Sequence, residues 1–250
     1  MRYLVRQQGL NPRLVKSAIE NLLIKNEIAY SYQFGSSFLE VSFNRPVRIS
    51  KTLVVKPPEC SYPEVFDQIV IDMIPGAAFG SGQHPTTQLA LEGLDFLIHE
   101  KKITSNQQDT TVLDIGTGSG ILLIAAIKLG MISGVGIDID PCARAEARTN
   151  VALNGIQTRV RITETPIENI AVQYFLIMAN LRYPTIDQLF PRFMDCLRAN
   201  GFFLLSGIKT EEVGELQKTM QRTATLKSIW QSKKNGWTAM AIKKCASDAL

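Results

Sequence analysis

The chain has 250 residues, 45% hydrophobic and 20% charged, with a formal net charge of +4. This length suits one full-sized domain with a smaller companion, and the composition is that of a globular chain rather than a disordered or fibrous one. No apolar run approaches the roughly 20 residues that span a bilayer, and two histidines and four scattered cysteines offer no metal-ligand spacing.

The first residues lack the apolar segment and cleavage site of a secretion signal. With dispersed thiols, that leads to an expected cytoplasmic location with no membrane partner. Residues 1–60 carry nine Lys and Arg against four Glu, so the basic surplus lies there. Such a surface suits an acidic or nucleic-acid-rich partner, or is simply solvated. Residues 12–26 read as an amphipathic helix, with Asn11 as cap and Pro12 at the first helical position. Residues 27–34 and 37–43 alternate like two strands of a hairpin joined at Gly35-Ser36. The expectation is a small basic α+β module over residues 1–60 for substrate recognition, either a trimmed winged-helix-like unit or a plain cap.

Residues 45–58 read as an extended connector with a strand at 53–55, and 69–73 as another short strand. A second body over residues 61–250 follows. Pro75-Gly76 and Gly80-Ser81-Gly82 mark a glycine-rich loop, expected to be mobile and to fold over a site, with Phe79 its one large apolar residue. His84-Pro85-Thr86-Thr87 opens a helix, and Thr86 or Thr87 is placed to cap it or to reach a ligand. His84 reads as a structural residue at that helix start rather than a general base.

Residues 111–140 carry the strongest signal. Val112, Leu113 and Ile115 form a short buried strand. Asp114, Gly116, Gly118 and Gly120 make a tight turn, residues 121–129 an apolar helix, and 134–139 a second strand ending near Asp138. Strand, glycine turn, helix, strand and acid form a βαβ unit for an adenosine-containing cofactor, the acid gripping ribose hydroxyls about 20 residues on. Gly116 and Gly118 let backbone approach the ligand closely. The spacing is Asp-x-Gly-x-Gly-x-Gly, not Gly-x-Gly-x-x-Gly. A carboxylate at Asp114 would repel a diphosphate, whereas the ammonium of S-adenosylmethionine would pair with it, directly or through water.

The pattern then repeats: a helix at 141–154, strands at 159–162 and 175–178, a helix at 185–197, a strand at 201–206 and a helix at 211–223. A closing hairpin turns at Lys234-Asn235-Gly236. The fold class expected is α/β, a Rossmann-like class I methyltransferase. Its sheet would have seven mostly parallel strands, one antiparallel strand at the end and helices on both faces. Asn180, in a polar loop after the fourth strand, is the candidate catalytic residue, since its amide offers both donor and acceptor. Trp230 and Trp237 read as core. No metal site is expected, and nothing indicates the oligomeric state.

PGAAFGSGQHPTT at 75–87, LDIGTGSGIL at 113–122, GIDIDP at 136–141, ANL at 179–181 and LLSGI at 204–208 together resemble the PrmA family of ribosomal protein L11 methyltransferases. The resemblance covers roughly the C-terminal two-thirds. It implies S-adenosylmethionine as cofactor, contacted by Thr87, Gly116, Asp138 and Asn180, with Phe79 and Gly80 nearby. It also implies methylation of an amino group, lysine or N-terminal, on a protein, with a ribosomal protein as the candidate. Residues 1–60 look shorter than the family's N-terminal domain, and Leu181-Arg182-Tyr183-Pro184 replaces an apolar dipeptide and small residues. Nucleic-acid methylation or binding through the basic segment, and small-molecule methylation, are the alternatives. The Asn-Pro-Pro-aromatic motif of base methylation is absent.

Overall fold

Val112, Leu113 and Ile115 are buried because β6 (Thr111–Ile115) runs through the centre of a seven-stranded sheet. The structure, a computed structural model, describes residues 9–25, 27–33, 36–42, 45–74, 76–100, 103, 110–222 and 225–245. Strands β7 (Ser133–Ile137) and β8 (Val160–Thr163) lie on one side of β6. On the other are β9 (Tyr174–Asn180), β10 (Leu197–Lys209), β12 (Trp237–Lys244) and β11 (Leu226–Lys234). Strand β12 points opposite to the other strands of this sheet, and it sits inside the sheet between β10 and β11 rather than at its edge. The hairpin residues Lys234 and Trp237 pair across Asn235-Gly236, and both turn residues have positive φ.

Period-two alternation divides the sheet into two faces. Val112, Leu176, Met178 and Leu204 pack against α2 (Pro85–Glu100), α3 (Ile121–Lys128) and α4 (Pro141–Leu153). Leu113, Ile177, Phe203 and Leu205 pack against α5 (Tyr183–Cys196) and α6 (Val213–Gln221). Helix α3 is apolar all round and buried at every residue from Ile121 to Ile127, as a helix clamped between layers must be. Helices therefore cover both faces, the class I methyltransferase arrangement.

Towards the N-terminus, α1 (Pro12–Ile24) is capped by the Asn11 side chain, which accepts the Arg13 N–H. Strands β1 (Ile28–Gln33) and β2 (Ser36–Val41) form the antiparallel hairpin, in register from Ile28 opposite Val41 to Gln33 opposite Ser36. Residues 34, 35 and 43 of the expected hairpin lie outside the described residues. A separate sheet joins β3 (Val47–Arg48), β4 (Leu53–Lys56) and β5 (Ile69–Asp72). Strands β4 and β5 pair in parallel across residue 60, where the sequence suggested a boundary. Leu53, Val55 and Ile71 belong to the same core as α2 and α3. Among the described residues, no helix is long and apolar enough to cross a membrane.

Candidate functional site

The order of the central strands places the site. The chain leaves β6 for β7 on one side and returns to β9 on the other, so a crevice opens beyond the carboxyl ends of β6 and β9. Ile115 pairs with Ile137 of β7 and with Ala179 of β9, and Asn180 pairs with Ser206 of β10. The next residue on each strand forms one row along this edge: Asp138, Gly116, Asn180 and Ser206.

Gly116, Gly118 and Gly120 all have positive φ, at 69°, 55° and 84°. In that left-handed region a side chain is strained. The Gly116 and Thr117 amides donate to the Ile137 carbonyl at 2.9 and 3.0 Å, and the Gly118 amide donates to Asp138 Oδ2 at 2.9 Å. Asp138 Oδ1 accepts the Asp140 amide at 2.9 Å. The acid thus braces the turn it faces, while each carboxylate oxygen retains a further lone pair for a hydroxyl.

Asp114 is buried beneath the turn, and the Thr117 hydroxyl donates to its Oδ2 at 2.7 Å. Burial pushes this carboxyl up to about 7. The Thr117 hydrogen bond opposes the rise, and the Asp138 charge adds to it.

The loop before α2 is fastened to the turn by main chain. The Ser119 amide donates to the Phe79 carbonyl at 2.9 Å, and the Ser119 hydroxyl to the Gly80 carbonyl at 2.8 Å. The Phe79 side chain is 54% exposed and stands 5.2 Å from the His84 ring. His84 Nδ1 lies 2.8 Å from Thr86 Oγ1 and accepts the Thr86 amide at 3.3 Å, so His84 organises the start of α2. Thr86 and Thr87 are both buried; the Ser206 hydroxyl donates to the Thr86 carbonyl at 2.8 Å. Asn180 Nδ2 donates to Thr87 Oγ1 at 3.4 Å, a long contact, and Asn180 Oδ1 is buried with no hydrogen-bond partner among the described residues.

The structure brings Thr87, Gly116, Asp138 and Asn180 to one edge, with Phe79 and Gly80 against Gly118-Ser119 and Asp114 underneath. Sequence reasoning missed Ser119, which ties loop to turn; a serine between two glycines carries no distinguishing pattern. It also missed Trp237, whose ring lies edge-on to His84 at 5.4 Å with the Arg182 guanidinium 5.3 Å from its centroid. Trp230, by contrast, stacks on Phe96 against the core, as expected. No group of three or more potential metal ligands occurs among the described residues.

Residues 40–245 match the family model described as ribosomal protein L11 methyltransferase (PrmA). The chain belongs to the PrmA family. PrmA-family relatives include the ribosomal protein L11 methyltransferases of Geotalea uraniireducens and Geobacter metallireducens. The first is 38% identical over 67% of this chain and 55% of its own length. The second is 43% identical over 66% of this chain and 52% of its own. This chain thus spans about half the length of these curated relatives. A crystal structure of a ribosomal protein L11 methylase from Lactobacillus delbrueckii subsp. bulgaricus superposes with a TM-score of 0.70 at 30% identity. It covers 80% of this chain and 99% of that one. A precorrin methyltransferase structure from Geobacter metallireducens, at 11% identity and TM-score 0.52, shares the fold alone.

Proposed function

We propose that this PrmA-family chain transfers a methyl group from S-adenosylmethionine to an amino group, lysine or N-terminal, of a protein, with a ribosomal protein as the favoured acceptor. The single observation that carries this reading is Asn180 Oδ1, an unpartnered acceptor buried at the end of β9 beside Thr87 and in the same row as Gly116 and Asp138. Leaving a buried acceptor unpaired costs ~1–3 kcal/mol, and an amine N–H offers the missing donor. Relatives over most of the chain carry the name ribosomal protein L11 methyltransferase, which supports the same acceptor. They are bacterial, consistent with a cytoplasmic setting.

The residues present fit the cofactor. Asp138 is placed for ribose hydroxyls, and the strained glycines open a main-chain cradle. Asp114 offers a carboxylate to an ammonium. When bound, the cofactor supplies an electrophilic methyl on sulfur. The chain's own residues supply alignment, which can contribute ~7–11 kcal/mol. Asn180 orients the acceptor nitrogen through Oδ1. The row Phe79, His84, Trp237 and Arg182 makes an apolar rim with one cation. That rim excludes water and disfavours the charged ammonium form of the acceptor, whose free pKa is ~10.4 for lysine. We assign residues 9–42, with α1 and the β1–β2 hairpin, to acceptor recognition. The exposed apolar side chains Leu10, Leu14 and Ile24 on and beside α1 support this.

The deciding experiment incubates the protein with methyl-labelled S-adenosylmethionine and, separately, purified ribosomal protein L11, ribosomal RNA and a small-molecule extract. Label is expected in the protein sample, in acid-stable N-methyl amino acids. Label in RNA or in the small-molecule fraction alone would reject the reading.

A further inference from the structure

Helix α4 and its C-cap carry a polar stripe, Glu146, Asn150 and Asn154, at successive i, i+4 positions. Each of the three reaches the same stretch of neighbouring main chain. Asn154 Oδ1 accepts the Asp72 amide at 3.1 Å, and its Nδ2 donates to the Asp72 carbonyl at 2.7 Å. Asn150 Oδ1 accepts the Ile74 amide at 3.1 Å. Glu146 Oε2 accepts the Ala78 amide at 3.0 Å.

The spacing has a geometric basis. One i, i+4 step advances about 6 Å along a helix, and two residues of extended chain advance about 6.6 Å. Asn154 and Asn150 therefore meet Asp72 and Ile74 in register. Four residues separate Ile74 from Ala78, which meets the next helical step, and at Gly76 an added Cβ would overlap the Glu146 carboxylate. Asn150 is fully buried, and its Nδ2 also donates to the Ser119 carbonyl at 3.0 Å. Ser119 in turn holds Phe79 and Gly80. One face of α4 thus grips the loop at residues 74 and 78 and the glycine turn at residue 119.

We propose that Glu146 and Asn150 are positioning residues that seat the 76–80 loop on the glycine turn before any ligand arrives, so that Phe79 and Gly80 present a preformed wall to the methyl donor. The ligand part of this inference rests on the cofactor reading given above; the loop part does not. Neither side chain needs to touch the reacting atoms. Glu146 acts through the Ala78 amide, Asn150 through Ile74 and Ser119. A preformed wall spares the ligand the entropy of ordering the loop.

Asn150→Ala leaves a buried carbonyl and amide unpaired and is prone to unfold the chain, so the test uses half-exposed Glu146 in the full chain. Amide exchange at residues 76–80 and 119 is followed without ligand. S-adenosylmethionine affinity is measured by calorimetry, and the melting midpoint by calorimetric scan. Glu146→Ala is expected to speed exchange at Ala78 and to raise the cofactor Kd about ten-fold, each the effect of one lost charge-assisted hydrogen bond. The midpoint should move by no more than about 4 °C. Glu146→Gln, whose carboxamide oxygen accepts the same N–H, should restore both. Wild-type exchange in Glu146→Ala, or a defect that Glu146→Gln does not restore, would overturn the proposal. If the wild type binds no S-adenosylmethionine, the cofactor reading fails, and ligand-free exchange still decides whether Glu146 holds the loop.

Discussion

The Phe79 carbonyl oxygen lies 2.9 Å from the amide nitrogen of Ser119, so the loop ahead of α2 is hydrogen-bonded to the cofactor turn through main chain. The Ser119 hydroxyl adds a second tie, to Gly80. These two ties give the loop anchors on the turn that its glycine content did not suggest. The Phe79 side chain is a separate matter, since over half of it is exposed. Phe79→Ala keeps the carbonyl and removes the ring. It should change stability by no more than about 0.5 kcal/mol, as exposed substitutions do, while lowering turnover of the labelled methyl donor. Thermal scans beside single-turnover transfer rates check this; a fall in midpoint matching the fall in rate would assign the ring to packing.

Gly118 is where the turn tolerates least. Its φ is 55°, and an added Cβ would run into the Phe79 carbonyl. Gly118→Ala should destabilise the protein by roughly 1–3 kcal/mol, the cost of a non-glycine held in such backbone, and should break the Phe79–Ser119 contact. Gly155 has a similar φ of 69° but nothing within 4 Å of an added Cβ. Gly155→Asn should therefore be nearly neutral, because asparagine visits this region readily. Denaturant midpoints of the two variants give the comparison, and equal losses would show that close approach is irrelevant.

Asp138 braces the turn, and it is the residue we propose for the ribose hydroxyls. Asp138→Ala removes the acceptor of the Gly118 and Asp140 amides. A hydrogen bond to a charged group contributes ~1.5–3 kcal/mol, so the S-adenosylmethionine Kd should rise about ten- to a hundred-fold. Calorimetric titration of the folded variant checks it, and an unchanged Kd would remove Asp138 from the ribose site.

The βαβ core was legible because its signals are local. A short apolar run, three glycines and an acid 20-odd residues on fix strand, turn and cofactor edge together. The position of Asn180 at the end of a strand was legible too. The α4 stripe was not, since Glu146 and Asn150 sit in a helix that also shows Ala and Arg, Asn154 caps it, and their partners are main-chain groups 68 to 82 residues away. Trp237 looked like core because a hairpin aromatic usually is. Only the fold reveals that β12 carries it beside His84. The pairing of β4 with β5 across residue 60 was likewise invisible, because runs of three apolar residues closed by one charge, Lys56 or Asp72, are too short to mark whom they pair with.

Asp114 gives the site a pH dependence whose sign follows from its surroundings. Burial lifts its carboxyl from 3.8 to about 7 in the folded protein. The fold therefore favours the protonated form. The stability tied to this group is complete below the unfolded value of 3.8, is lost as pH rises from about 4 to about 7, and is level above that. The difference corresponds to on the order of 4 kcal/mol. An ammonium placed against Asp114 would favour the anion and pull its pKa down. Binding of S-adenosylmethionine should then release a proton below pH 7, and affinity should strengthen as pH rises towards about 7 before levelling. Asp114→Asn keeps an acceptor for the Thr117 hydroxyl but cannot ionise. It should be more stable than the wild type at pH 8, bind the cofactor more weakly there, and show a flat affinity between pH 5 and 8. Titration calorimetry in buffers of different ionisation enthalpy reads the proton directly. A wild-type affinity that does not vary from pH 5 to 8, with no proton released, would show that Asp114 does not face the ammonium.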